Sequence, residues 1–163
     1  MKKILIVGLG NILLQDEGIG IHVIEKLRNE NDIPPEVELI EGETKGLALL
    51  PLLKGGTYII FVDAMEFEGA AGEIKVLHDK EIVSANNMLI SAHEVGLSDI
   101  ISLISLTERA EPPKTTLVGV KPMNLETGLQ LSPEVEKSIP KIIQIIKQEV
   151  KRFKKELIVA NPV

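Results

Sequence analysis

The sequence predicts an α/β protein: a three-layer α/β/α sandwich around a mostly parallel, twisted sheet of about five strands. Three observations lead there. The chain opens on KILIVGL, an unbroken apolar run suited to a strand covered on both faces. Further β-type runs alternate with segments whose apolar residues recur at helical spacing, the pattern of parallel strands joined by crossover helices. One pair of runs is linked only by Gly69-Ala70-Ala71-Gly72, too short for a crossover, so the second of them is an antiparallel edge strand.

Taken in order, the strands are expected at Lys3 to Leu9, Val37 to Ile40, Tyr58 to Val62, Glu73 to Leu77 and Thr115 to Val120. Between the first two, Gly20, Val23, Ile24 and Leu27 place one apolar stripe on a helix. A second helix, starting near Val95, carries Leu97, Ile100, Ile101 and Ile104. The third and clearest stripe is Ile139, Ile142, Ile143, Ile146, Val150 and Phe153, in a helix over about 133–157 with a short tail at 158–163. Ser132 and Pro133 suit its N-cap and first turn, whereas Pro140 should kink or restart it. Pro34-Pro35, Gly55-Gly56 and Pro112-Pro113 punctuate the connections, and KQEVKRFKKE is a solvated helix face.

A chain of 163 residues fits one domain, 1–163, large enough to bury a self-sufficient core. With 18 basic against 24 acidic residues, a net charge of −6 and four aromatics in all, it is poorly equipped to grip phosphates or stack bases, and nucleic acid is not an expected partner. The absence of cysteine excludes disulfides, thiolate nucleophiles and cysteine-based zinc sites, and fits a reducing cytoplasm. MKKILIVGLGNILL superficially resembles a signal peptide, but QDEGIG stands where a small-residue cleavage site belongs, so the segment is assigned to the first strand. No apolar run approaches the roughly 18 residues of a bilayer span, and no membrane association is expected.

In an open parallel sheet, ligands bind beyond the carboxyl ends of the strands. Three polar residues fall there: Glu17 after the first strand, Asp63 ending YIIFVD, and His93 before the second helix. Two carboxylates and an imidazole suit a divalent transition ion, which accepts mixed oxygen and nitrogen donors. Asp16 and Glu17 would also stabilise a helix N-terminus by charge, and the two roles are compatible. A carboxylate directly after five apolar strand residues is costly to desolvate without a partner, which makes Asp63 the strongest single lead. His22 and His78 are expected to be surface or packing residues.

Other motifs fail. Gly8 and Gly10 begin a dinucleotide fingerprint, but Leu13 occupies the third glycine position and Glu17 would face the pyrophosphate. HEVGL lacks the second histidine of a zincin, and there is neither a G-x-S-x-G elbow nor a P-loop. Hydrolysis would therefore depend on a metal-activated water or a carboxylate base.

Four collinear motifs, GLGNILLQDEGIG, FVDA, SAHEVGL and LVGVKP followed by GLQLSPEVE, together resemble the hydrogenase maturation endopeptidases of the HybD/HycI type over about residues 3–150. The resemblance implies a cytoplasmic protease that removes a C-terminal extension from a nickel-iron hydrogenase large-subunit precursor once nickel has been inserted. It implies Glu17, Asp63 and His93 as metal ligands, with nickel supplied by the substrate and cadmium or zinc able to replace it in crystals. Asp16 or one of the ligand carboxylates would assist water attack. Substrate contacts are expected at Glu41, Gly42, Glu43 and Thr44, where the family often has an acid followed by Gly-Gly-Thr; here Glu43 replaces the second glycine. Two alternatives are carried: a peptidyl-tRNA hydrolase-like esterase, which shares an early GLGN and for which His22 stands near the right place, and a non-catalytic nickel-sensing chaperone.

Overall fold

The first strand, β1 (Lys3–Leu9), occupies an interior position of the sheet, with Ile4, Leu5, Val7 and Leu9 fully buried. The computed structural model describes residues 2–90, 95–108 and 111–160. Its strands are β1, β2 (Val37–Glu43), β3 (Gly56–Ala64), β4 (Ile74–His78) and β5 (Lys114–Val120), in the order β2-β1-β3-β5-β4. Every pair is parallel except β4 with β5, which runs antiparallel with Ile74 opposite Val120 and His78 opposite Thr116. The expected antiparallel edge is thus present. Its neighbour in the sheet is β5, while β3, the strand that leads into it, lies one position further in.

Alternation along the strands divides the core in two. Ile4 and Ile6 of β1, with Tyr58, Ile60, Val62 and Ala64 of β3, face α1 (Ile19–Arg28) and α6 (Ile139–Ala160). Leu5, Val7 and Leu9, with Ile59 and Phe61, face the other layer, made by α2 (Leu50–Leu53), α3 (Lys80–Ser84) and α4 (Leu97–Glu108). The period of two that sends successive side chains to opposite faces makes both layers obligatory, since each face of the inner strands is apolar. Tyr58 and Phe153 stack with ring centroids 4.3 Å apart where α6 crosses the sheet.

Of the two outcomes expected at Pro140, a kink or a restart, the structure shows the restart. α5 (Pro133–Glu136) ends after a single turn and α6 begins at Ile139. Pro140 lies in the first turn of α6, where its missing N–H has no intrahelical partner to lose. The helix then runs on to Ala160, beyond the expected boundary near residue 157. The short α2 and α3 were not foreseen, and β2 extends three residues past Ile40.

The site follows from this topology. From β1 the chain goes to β2 on one side and then returns to β3 on the other, so a crevice opens between the carboxyl ends of β1 and β3.

Candidate active site

The turn after β1 has the position of a phosphate loop but not its free donors. Leu13 N–H donates to Asn11 Oδ1 at 2.9 Å, and Leu14 N–H to the Asn11 carbonyl at 3.1 Å. Gln15 N–H donates to the Gly128 carbonyl, Asp16 N–H to that of Asn124 and Glu17 N–H to that of Leu14, at 2.9, 3.1 and 3.1 Å. Five successive N–H groups are therefore consumed within the protein, and no cradle is left for an anion. Nor do the acids cap α1: Gly18 is its N-cap residue, without a side-chain cap, and Asp16 and Glu17 belong to the 3-10 turn before it.

Glycines let this turn lie close against the sheet. A Cβ on Gly8 would strike the Gly20 carbonyl, and one on Gly20 would strike the carbonyls of Leu9 and Val62, so α1 rests directly on the backbone of β1 and β3. Gly10, at φ 106°, donates to the Glu43 carbonyl at 2.9 Å. A Cβ there would collide with the Glu17 carbonyl oxygen and lie 3.3 Å from Asp63 Oδ1. Gly10 is thus the point where the Glu17 turn, the end of β3 and the end of β2 meet.

Asp63 is fully buried and Glu17 is 6% exposed. Asp63 Oδ1 accepts the Ala64 N–H at 2.8 Å, and neither carboxylate is without a further partner. Past β3, residues 88–90 run antiparallel to residues 64–66: Glu66 N–H donates to the Met88 carbonyl at 2.7 Å, Ile90 N–H to that of Ala64 at 3.4 Å, and Met65 bridges to Leu89. The chain approaching His93 is thereby fastened alongside Asp63. His93 itself lies outside the described residues, and among the described residues no three His, Cys, Asp or Glu side chains form a metal cage.

Asp16 has a task that its sequence position does not reveal. Its carboxylate, with no solvent exposure, accepts four hydrogen bonds from the loop after β5: Met123 N–H and Asn124 N–H at 2.9 Å, Ser132 N–H at 2.7 Å and Ser132 Oγ–H at 2.8 Å. Ser132 is the N-cap residue of α5, as expected, but its hydroxyl serves Asp16 and makes no side-chain cap bond. Gln15, one residue earlier, adopts φ 47°, a left-handed conformation held by its bond to Gly128.

At the end of β2, Glu41 pairs with Arg28 and its carbonyl accepts Lys45 Nζ at 3.1 Å. Gly42 is buried, with the side chains of Leu9 and Val7 where its Cβ would be. Glu43 is exposed, pairs with Lys45 at 3.3 Å, and has φ 48°. The backbone there does require the left-handed region that glycine enters freely; Glu43 occupies it at a steric cost. Thr44 follows in the turn.

The family model described as hydrogenase maturation protease, HycI, matches residues 21–149. The chain belongs to this family. It is 38% identical over 146 residues to the hydrogenase 2 maturation protease of Escherichia coli K12, covering 88% of each chain. Its fold matches the hydrogenase maturating endopeptidase HybD from E. coli with a TM-score of 0.83 at 35% identity, over 92% of this chain and 93% of that one. The nickel-iron hydrogenase maturation protease HybD from Thermococcus kodakarensis matches with a TM-score of 0.75 at 26% identity, over 90% and 97%.

As a hydrogenase maturation protease the chain is a peptide hydrolase, which sets aside the esterase and the non-catalytic readings. His22 lines a groove beside α1, and its Nε2 is buried without a hydrogen-bond partner among the described residues. His78 Nε2 lies 3.2 Å from Glu149 Oε1. Among the described residues, no helix of the maturation protease is long and apolar enough to cross a membrane.

Proposed function

We propose that this maturation protease removes the C-terminal extension of a nickel-iron hydrogenase large-subunit precursor after nickel insertion, with Glu17, Asp63 and His93 as the protein's ligands for the nickel carried by that substrate. The observation that supports this reading best is the convergence at Gly10. There the Glu17 turn and Asp63 meet at the switch point of the sheet, while the strand-like segment ending at Ile90 is fastened beside β3.

Two carboxylates and an imidazole fit a divalent ion in charge and donor type, and three protein ligands leave positions for groups from the substrate. The nickel, as part of the substrate, anchors the precursor and reports that insertion has occurred; anchoring holds the scissile peptide in place, the principal contribution a rigid rim can make to its hydrolysis. Asp16, engaged by four donors, acts as a positioning residue that holds the loop after β5. Water activation then falls to a ligand carboxylate. Glu41, Gly42, Glu43 and Thr44 stand beside this rim, linked to it through the Gly10 to Glu43 bond, and form the next set of substrate contacts.

Mass measurement tests this reading. Incubation with nickel-loaded precursor should convert the large subunit to a species shorter by one C-terminal peptide, and His93→Ala should leave its mass unchanged while keeping the wild-type circular dichroism spectrum. Cleavage by His93→Ala at the wild-type rate would remove the imidazole from the site and overturn the ligand assignment.

A further inference from the structure

Beside the site, four large apolar side chains stand in solvent: Leu13 at 58% exposure, Met123 at 65%, Leu125 at 38% and Leu129 at 61%. They come from two segments, the turn after β1 and the loop after β5, joined by the Gly128 N–H to Leu13 carbonyl bond at 2.8 Å and the Gln15 N–H to Gly128 carbonyl bond at 2.9 Å. Asp16 fixes the same loop at Met123, Asn124 and Ser132. Exposed apolar residues on a mobile loop would mean little. Here they are presented on backbone that is anchored at both ends.

A groove of about 670 Å³ runs along this surface, with Met123 and Leu129 among its apolar walls and Gln15, Asn124 and Gln130 as amides. Among the described residues that line it, Glu134 alone is charged, in a chain of which 26% is charged. Apolar walls with amides that both donate and accept suit an extended polypeptide, whose side chains alternate with backbone N–H and C=O groups. Gln15 in its lining is two residues from Glu17, and a peptide hydrolase must bind a polypeptide.

We propose that this groove and its apolar rim, Leu13, Met123, Leu125 and Leu129, dock an uncharged, apolar segment of the polypeptide substrate, holding the precursor while its cleavage point reaches the Glu17–Asp63 crevice. The proposal rests on the reading of the chain as the processing protease of a large-subunit precursor. Recognition here is by apolar contact and backbone hydrogen bonds, so affinity depends little on salt.

The test is the affinity of the full chain for nickel-loaded, full-length large-subunit precursor, measured by biolayer interferometry alongside the rate of peptide release. Met123→Asp/Leu129→Asp should raise Kd and KM by about ten-fold or more and leave kcat within about two-fold. Leu13→Asp, on the other segment, gives an independent variant should the first be unstable, and Lys151→Gln, exposed on α6 away from the groove, should change nothing. Equal binding by wild type and both aspartate variants, or no binding by the wild type, overturns the proposal. So does wild-type self-association in sedimentation that the variants abolish, which assigns the rim to a second copy. Failure of the processing reading looks different: binding that the variants weaken, with no peptide released by any of them.

Discussion

Replacing Asp16 should destabilise the protein in steps that follow its hydrogen bonds. Ser132→Ala removes one of the four, the hydroxyl bond at 2.8 Å to the carboxylate, and should cost about 1.5–2 kcal/mol. Asp16→Asn keeps the shape but turns an amide N–H toward at least one donor, at about 2–3 kcal/mol. Asp16→Ala leaves three backbone N–H groups and a hydroxyl without their acceptor. Each hydrogen bond to a charged group is worth ~1.5–3 kcal/mol, but the loop carries exposed Met123 and can turn freed donors to water, so the total should be about 3–5 kcal/mol rather than the full sum. For a domain of this size that is a fall in Tm of about 6–20 °C. Urea denaturation gives the free energies, and limited proteolysis across residues 121–132 shows whether the loop is what loosens. A cost below about 1 kcal/mol for Asp16→Ala, with unchanged protease resistance of the loop, would refute the anchoring argument.

Gly10→Ala should cost more than about 3 kcal/mol, since it meets both a left-handed backbone and the Glu17 carbonyl, whereas Gly46→Ala, at φ 54° with nothing within 4 Å, should cost only the ~1–2 kcal/mol of strain; equal melting temperatures would contradict the packing argument. Glu43→Gly should stabilise by about 0.5–1 kcal/mol by releasing the strain at φ 48°, measured as a small rise in Tm. Glu149 is subject to burial, which pushes its carboxyl up, but hydrogen bonds from Arg152, His78 and Thr116 outweigh that and hold it below the usual 4.5. A depressed folded-state value means stability that is present above pH 4.5 and is lost as pH falls through that lower value, so the deficit of Glu149→Gln against wild type should shrink between pH 7 and pH 3 in denaturation curves.

Much of the fold was legible because the inner strands are apolar on both faces. β1 runs over the residues that KILIVGL marks, and β3 and β5 gain only one or two residues at their ends. At the sheet edge, β2 has the mixed burial of an outer strand, and its final residues, Glu41 to Glu43, carry no apolar signal. α2 and α3, of four and five residues, are too short to show a periodicity. The break before α6 is the restart at Pro140; a proline in a helical pattern does not by itself say whether the helix bends or stops.

The candidate site was legible in part, for a related reason. Asp63 stands out as an acid directly after an apolar strand run, and Glu17 as an acid in the turn that follows one, both local contrasts. The bonds to Asp16 come from residues 107 to 116 positions away, in a loop whose own residues read only as polar connection. Gly20, counted as one member of a helical stripe, proved to matter for lacking a Cβ where α1 crosses the carbonyls of Leu9 and Val62.

These two facts together explain the acids in the turn. A phosphate loop needs its N–H groups free and its glycines arranged around an anion. Here the N–H groups of residues 13–17 are tied to Asn11, Leu14, Asn124 and Gly128, and the glycines are spent on bringing α1 against the sheet. With no N–H cradle to hold a phosphate, carboxylates in this turn face no bound anion to repel them, and one of the two, Asp16, faces inward to bind donors of its own. The same bonds order the loop that presents Met123 and Leu129, so the anchor of the turn also sets the shape of the surface beside it. Any change at Asp16 should therefore disturb the β1 turn and that surface together, whereas changes at Met123 or Leu129 should leave the turn intact.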